Sequence, residues 1–162
     1  MRRPERLAEA LRRADAWLLH HDHGELREPP PAAEPAVPPD WLRADPDHLR
    51  RLAGQAAAAS AGTRARWAEV VAQALVIAVR HRDLDLTAAL VRTATGLAAG
   101  DDPTTVAAVA FLISQQQADG GFGIVPDEGD PHLSTAVRVP LTVACASAFE
   151  AVLTATAIDA RK

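Results

Sequence analysis

Apolar residues recur at helical spacing from the start of the chain. Over residues 4–21 they return every three or four positions, and charged side chains occupy the positions between them. This spacing places the apolar side chains on one face of an α-helix. We therefore expect a first helix whose buried face is formed by Leu7, Leu11, Ala14, Trp17 and Leu18.

Three further helices are predicted over residues 45–61, 64–82 and 84–99. An Asp-Pro pair suits the start of the first of these, and Gly100 suits the end of the last. The middle helix is apolar around most of its circumference, and such a helix is normally buried by several neighbours. Its apolar positions are Trp67, Val70, Val71, Ala74, Leu75, Ile77 and Ala78.

The last two helices are predicted over residues 103–119 and 132–158. The fifth begins after an Asp that can accept hydrogen bonds from first-turn N–H groups, and Gly120-Gly121 ends it. Pro140 lies inside the sixth and removes a backbone donor, so we expect a kink or a break into two pieces there. Six helices joined by turns predict an all-α fold.

The composition favours one helical domain over residues 1–162. Apolar residues make up 48% of the chain, alanine is abundant and tyrosine is absent, which favours helices packed closely through small side chains. A proline-rich segment over residues 28–40 is predicted to be an extended surface loop between helices. A polyproline segment that binds a partner is the alternative.

Charge and cysteine content exclude several classes of protein. The net charge of −4 gives no reason to expect nucleic-acid binding. Cys145 is the only cysteine, so no intramolecular disulfide forms, and its apolar surroundings favour a small buried residue. The N-terminus lacks the apolar block of a secretory signal, and no stretch approaches about 18 uninterrupted apolar residues. We therefore expect a cytoplasmic protein without a membrane span.

The candidate metal ligands do not form a recognisable motif. His20, His21 and His23 lie close together, but adjacent histidines on a helix diverge and no i, i+4 pair is present. A polar helix end is the favoured interpretation, and a transition-metal site is the alternative. The acidic segment 127–130 lacks the spacing of a calcium loop. We therefore expect neither a metal nor a cofactor.

The most distinctive motif is FLISQQQADGGFG at residues 111–123. Its aromatic-Leu pair, its glutamine and its Gly-Gly-Phe end resemble the QW-type repeat of squalene–hopene cyclases and prenyltransferase-like α/α toroids, with Phe where Trp is usual. Residues 17–26 resemble a degenerate second copy of this repeat. The resemblance implies about six helices in antiparallel hairpins that form a partial α/α toroid. It also implies that four residues join adjacent hairpins without taking part in catalysis: Gln116, Gly120, Gly121 and Phe122.

A second resemblance lies upstream, at residues 83–88, DLDLTA. This segment is similar to the Asp-x-Asp-Asp-Thr-Ala motif of class II terpene cyclases, with Leu86 where the third Asp is usual. The resemblance implies that Asp85 protonates an alkene or epoxide, with an acidity set by neighbouring carboxylates. The alternative interpretation is that Asp83 or Asp85 caps the fourth helix.

Two functions follow from these patterns, and they leave open whether the protein is an enzyme. The first is a non-catalytic binding or accessory module, built from helical repeats, that acts in bacterial secondary metabolism. The alternative is a terpene-cyclase-like enzyme that protonates or binds an isoprenoid or another apolar molecule. In that case Asp85 is the acid, and the candidate ligand-binding residues are Trp67, Phe111, Phe122 and Arg92.

The number of helices also predicts a partner. A complete toroid of the resembled kind uses about twice as many helices as 162 residues can provide. A half-ring exposes an apolar concave face, and such a face usually finds a ligand or a partner. We therefore expect a homodimer, or another protein that completes the ring.

Overall fold

The structure is a computed structural model that describes residues 3–21, 42, 44–123 and 131–160. These residues are all-α, as predicted, whereas the proline-rich loop predicted over residues 28–40 lies outside them. One turn of 3-10 helix, Ala61–Thr63, precedes the third helix. The described helices are α1 (Arg3–Leu19), α2 (Pro46–Ala57), α3 (Arg64–Arg80), α4 (Leu84–Gly96), α5 (Pro103–Ser114) and α6 (Pro131–Asp159).

Helix α4 is the most enclosed helix of the described bundle. It packs against α2, α3, α5 and α6, and most of its side chains are buried. Helix α3 packs against α2, α4 and α5, as expected for a helix with few polar positions. The core contribution of α4 consists of Leu86, Thr87, Ala88, Leu90, Val91, Thr93 and Ala94.

Helix α1 packs against α6 and so joins the two ends of the described chain. Its predicted apolar face is confirmed, because Leu7, Ala14, Trp17 and Leu18 are buried and Leu11 is partly buried against the core. The first helix and the last helix therefore share one interface.

The starts of three helices follow from local sequence. Asp45, Asp83 and Asp102 are the N-cap residues of α2, α4 and α5, and each carboxylate accepts a hydrogen bond from a first-turn N–H group. Pro46 and Pro103 follow directly in the first helical turn, where the backbone N–H that proline lacks would have no partner within the helix. The predicted starts of these helices are confirmed.

The ends of α2, α4 and α5 come earlier than predicted, at Ala57, Gly96 and Ser114. Helix α4 closes through Ala98, which adopts a positive φ of 63°, and the N–H of Ala99 donates to the carbonyl of Ala94 at 2.8 Å. This is the closure that glycine usually provides, and the sequence pattern misses it because the residue is alanine.

Helix α6 continues through Pro140 as one helix of 29 residues, so the predicted break into two pieces is wrong. Pro140 and Ala136, four residues earlier, are both exposed. The carbonyl that loses its helical donor therefore faces solvent, where water can replace the missing hydrogen bond.

Candidate functional site

The turn formed by residues 115–123, here called the glycine turn, is bound tightly to α1. Nε2 of Gln116 donates to the carbonyl oxygens of Ala10 and Gly120, each at 2.8 Å. From α1, Nη2 of Arg13 donates to the carbonyls of Gln117 at 2.6 Å and Ala118 at 3.1 Å. These contacts give hydrogen-bond donors to carbonyls that follow α5, and they hold the turn against α1 directly after α5 ends at Ser114.

The other side of the glycine turn is bound to α6. Phe122 is completely buried, and its ring centroid lies 6.0 Å from that of Phe149. Its N–H donates to Oγ1 of Thr142 at 3.0 Å, and its carbonyl accepts from Nε of Arg138 at 3.3 Å. Phe122 therefore anchors the turn in the core against α6.

An ion pair links the same turn to α6 and α1. Nη2 of Arg138 donates to both carboxylate oxygens of Asp119, at 2.9 and 2.8 Å, and Nε1 of Trp17 donates to one of them at 3.2 Å. The guanidinium of Arg138 also lies 4.9 Å from the centre of the Trp17 ring. Arg138 is 6% exposed, so this is a largely desolvated charge held by hydrogen bonds and an aromatic face.

The surroundings of Asp119 favour its ionised form. Partial burial acts to raise the pKa of Asp119, but hydrogen bonds from Arg138 and the Gly121 amide, the positive charge of Arg138 and the Trp17 hydrogen bond outweigh it. The pKa of Asp119 is therefore lower than its ordinary value.

Two of the three glycines of the turn, Gly120 and Gly121, are required by close approach. Gly120 has a φ of 97°, and a Cβ there would lie 2.5 Å from the carbonyl oxygen of Arg13. A Cβ at Gly121 would lie 2.7 Å from Nη2 of Arg138 and from Cε2 of Trp17. The structure thus places Gln116, Gly120, Gly121 and Phe122 at a packed interface between helices, with no space left for a ligand.

The predicted catalytic acid lies in a different setting. Asp83 is the N-cap of α4 and accepts the N–H of Leu86 at 3.0 Å. Asp85 lies in the first helical turn with its side chain 60% exposed, and its Oδ2 is 3.6 Å from Nε of Arg50. Nη2 of Arg50 binds Oδ2 of Asp83 at 3.0 Å. The carboxylates of this motif therefore form a surface cluster around one arginine.

An open groove lies between α2 and α6, on the surface of α4. We call it the α2/α6 groove; its volume is about 870 Å³. Half of the sixteen described residues that line it are alanine or glycine, and none of the sixteen is aromatic. The small residues include Ala53, Gly54, Ala57, Ala89, Gly96 and Ala155.

Among the described residues that line the groove, three are charged: Arg50, Arg92 and Glu150. Arg50 is already shared among three aspartates, since it also lies 3.6 Å from Asp47. Arg92 on α4 and Glu150 on α6 are exposed, and neither makes an ion pair or hydrogen bond with another residue in the described part of the chain. Within the described part of the chain, the groove therefore offers one cation and one anion without an ion-pair partner.

Of the candidate ligand-binding residues, only Arg92 lines this groove. Trp67 and Phe122 are completely buried in the core, and Phe111 is partly buried against it. The described Trp and Phe side chains lie in the core or against it, whereas many of the described residues that line the groove are small. Gly54 could have indicated the groove from the sequence, because glycine has a low helix propensity and is unfavourable inside a helix.

The described histidines and the cysteine make local contacts. Nδ1 of His20 bonds the carbonyl of Ala16, and Nδ1 of His21 bonds that of Trp17, each at 2.7 Å. No group of three metal-ligating side chains comes together among the described residues, and His23 and segment 127–130 lie outside them. Cys145 is buried, and burial, with a smaller effect from the negative charge of Asp85, raises the pKa of its thiol to about 12. Such a thiol is a poor nucleophile.

One described segment, Thr135–Ile158 of α6, is long and apolar enough to cross a membrane by length and composition alone. Core helices of soluble proteins meet the same criterion. Within this segment Arg138 and Glu150 are the only charged residues. Only 33% of its most apolar window is buried in the structure, so much of this apolar helix lies on the surface.

Comparisons with protein-family models, with curated proteins and with solved structures find no match to this chain. The resemblances at residues 83–88 and 111–123 therefore stay predictions, and the function is argued below from geometry.

Proposed function

We propose that this protein is a non-catalytic binding module and that its α2/α6 groove receives a helix from a protein partner. The observation that carries the proposal is Gly54. It lies inside α2, lines the groove, and a Cβ there would meet nothing within 4 Å. Glycine in a helix interior costs roughly 0.5–1 kcal/mol relative to alanine, and no contact within the described chain requires it.

The shape of the groove suits a helix. Helices α2 and α6 both pack on α4, which leaves a trough between them with α4 as its floor. A cylinder about 10 Å wide and about 11 Å long has the volume of this trough, and it corresponds to roughly two turns of α-helix. Small residues on facing helices allow short interaxial distances, so the alanines and glycines of the lining permit an incoming helix to approach closely.

A small apolar molecule is a weaker candidate for the same groove. Its volume falls within the range of small-molecule pockets, but such pockets are lined predominantly by large apolar and aromatic side chains. Here the aromatic residues proposed as cavity walls, Trp67 and Phe122, fill the core instead. Helix-in-groove recognition needs no aromatic lining and is the better fit.

The enzyme hypothesis is not favoured by the surroundings of Asp85. A strong general acid for an apolar substrate is expected in a desolvated pocket. Asp85 is instead 60% exposed and paired with Arg50 on the surface. Polyprenyl substrates should therefore give no product with the wild-type protein or with Asp85→Asn, as measured by mass spectrometry. A product formed by the wild type and lost in Asp85→Asn would establish the enzyme instead.

The resemblance to toroid repeats supports the rest of the proposal. It favours the partial α/α toroid, the cytoplasmic location and the role as an accessory module in bacterial secondary metabolism. The glycine turn is consistent with that resemblance, because Gln116 and Phe122 join α1, α5 and α6.

Photo-crosslinking tests the groove directly. A benzophenone amino acid at position 54 points into open space, whereas the same probe at the exposed Gln73 on α3 lies outside the groove. In cells that naturally make the protein, position 54 should give a crosslink to a peptide of helical sequence, and position 73 should not. Equal crosslinking at both positions, or none at position 54, would overturn the proposal.

A further inference from the structure

The outer ridge of α6 lies between two depressions. On one side is the α2/α6 groove. On the other side is a smaller depression of about 410 Å³ between α1 and α6, lined by Leu11, Leu18, Val143 and Ala146 among others. Ser147 and Glu150 line both depressions. A ridge beside a groove is a self-complementary shape, because a two-fold axis places the ridge of each copy in the groove of the other.

The charges of this surface are self-complementary as well. Glu150 is the only charged residue on the exposed part of Thr135–Ile158, since Arg138 is buried against Asp119. Arg92 lies on α4, the floor of the groove, and has no ion-pair or hydrogen-bond partner among the described residues. An occupant that satisfies both must present an anion to Arg92 and a cation to Glu150. A second copy of this chain presents both.

The apolar content of the ridge favours burial on association. Ile158 lines the groove and is 54% exposed. It belongs to a segment of α6 that is apolar enough to span a membrane. Covering such a surface removes apolar area from water. Among the described residues that line the groove, Arg92 and Glu150 are the charged groups without an ion-pair partner, and a second copy would pair them.

We propose that two copies of this chain associate through their α2/α6 grooves, with Glu150 of each copy paired with the partner's Arg92. This inference rests on the proposed function, because it names the occupant of the same groove. It also gives each of these two groove charges a partner, since in an isologous interface each contact occurs twice with the residues exchanged.

Charge reversal tests this pairing. The wild-type chain should be a dimer at micromolar concentrations by sedimentation equilibrium. Arg92→Glu and Glu150→Arg should each raise the dissociation constant by about 10-fold or more, because each places two pairs of like charges across the interface. Glu69→Arg makes the same charge change as Glu150→Arg at an exposed position of α3 and should leave the dissociation constant unchanged.

A mixture of the two single variants distinguishes pairing between copies from pairing within one chain. A dimer of one Arg92→Glu chain and one Glu150→Arg chain restores opposite charges at both contacts, so the mixture should form a heterodimer with close to wild-type affinity. Both substitutions in one chain should also restore the homodimer. Circular dichroism should show unchanged helix content for each variant, since both positions are exposed.

Three results would overturn the inference: a monomeric wild type, a dimer that is insensitive to both reversals, or a mixture that fails to associate. These results leave the proposed function separately testable. A monomer whose position 54 still crosslinks to another protein would retain the binding module and discard the homodimer. A homodimer would instead give crosslinks between two copies of the chain.

Discussion

The glycine turn and the α2/α6 groove both contain glycine between helices, for opposite reasons. At the glycine turn, a Cβ on Gly120 or Gly121 would lie 2.5 to 2.7 Å from atoms of α1 or α6. In the groove, a Cβ on Gly54 or Gly96 would meet nothing within 4 Å. The turn is an interface that the chain has already closed, whereas the groove is a surface of small residues that remains open.

The charges differ in the same way. In the glycine turn the buried Arg138 is neutralised by Asp119 within the chain, but in the groove Arg92 and Glu150 have no described partner. The structural role of a glycine or an arginine therefore depends on the atoms that face it. Where the facing atoms belong to the same chain, substitutions should change stability. Where they would belong to another molecule, substitutions should change association.

The largest effect is expected from Gly120→Ala. The substitution combines a positive φ with a collision against the backbone of Arg13, which cannot rotate away. We expect the free energy of unfolding to fall by about 3 kcal/mol or more, measured by urea denaturation. A loss below about 1 kcal/mol would show that the turn can move away from α1 and is not tightly packed.

Asp119→Ala should have the next largest effect on the free energy of unfolding. It leaves the guanidinium of Arg138 buried without its carboxylate, and breaking a fully buried pair costs about 3–5 kcal/mol. Because the Asp119 side chain is 44% exposed, we expect a smaller loss, about 2 kcal/mol in the free energy of unfolding. Urea denaturation beside Asp47→Ala, an exposed carboxylate on α2 with an ion pair of 3.6 Å, provides the comparison; equal losses would contradict this account.

The same carboxylate predicts a pH dependence. The pKa of Asp119 is lower in the folded protein than its ordinary value, so on acidification the unfolded chain binds the proton first. Its stabilisation is complete above about pH 4 and is lost as the pH falls through the folded-state pKa. The difference in unfolding free energy between wild type and Asp119→Ala should therefore be constant near neutral pH and shrink below about pH 4. A difference that grows on acidification would refute this sign.

Gln116→Ala should have an intermediate effect. The substitution removes two hydrogen bonds from the amide to the carbonyls of Ala10 and Gly120, and each is worth about 0.5–1.5 kcal/mol net. Gln115→Ala is the matched control, because that amide donates only to the neighbouring Ser114. Thermal unfolding should show a clear decrease in stability for Gln116→Ala and little change for Gln115→Ala; the reverse order would remove Gln116 from the interface.

The smallest effect, and one of opposite sign, is expected from Gly54→Ala. A methyl group there meets no atom of the chain and improves the helix propensity of α2, so the monomer should gain roughly 0.5–1 kcal/mol. The measurement is thermal unfolding at low protein concentration, where association contributes least. A loss of stability would mean that the groove is closed in solution, and the contrast between the two regions would fail.

The sequence alone determined the parts of this fold that depend on neighbouring residues. Periodic apolar positions predicted the six described helices, and three aspartates, Asp45, Asp83 and Asp102, predicted helix starts that the structure confirms. Both signals act over a few residues, because the helix repeat and the capping hydrogen bond are local.

Only the tertiary structure decided the end of α5 and the position of the groove. Helix α5 ends at Ser114, and the side chain of Arg13 on α1, about a hundred residues earlier, donates to the carbonyls of Gln117 and Ala118 that follow it. The groove exists because α2 and α6 lie apart on α4, and no residue of α2 or α6 encodes that separation locally. Long-range contacts depend on how the helices pack together. Packing against α1 therefore requires glycine at position 120, whereas no contact within the described chain requires it at position 54.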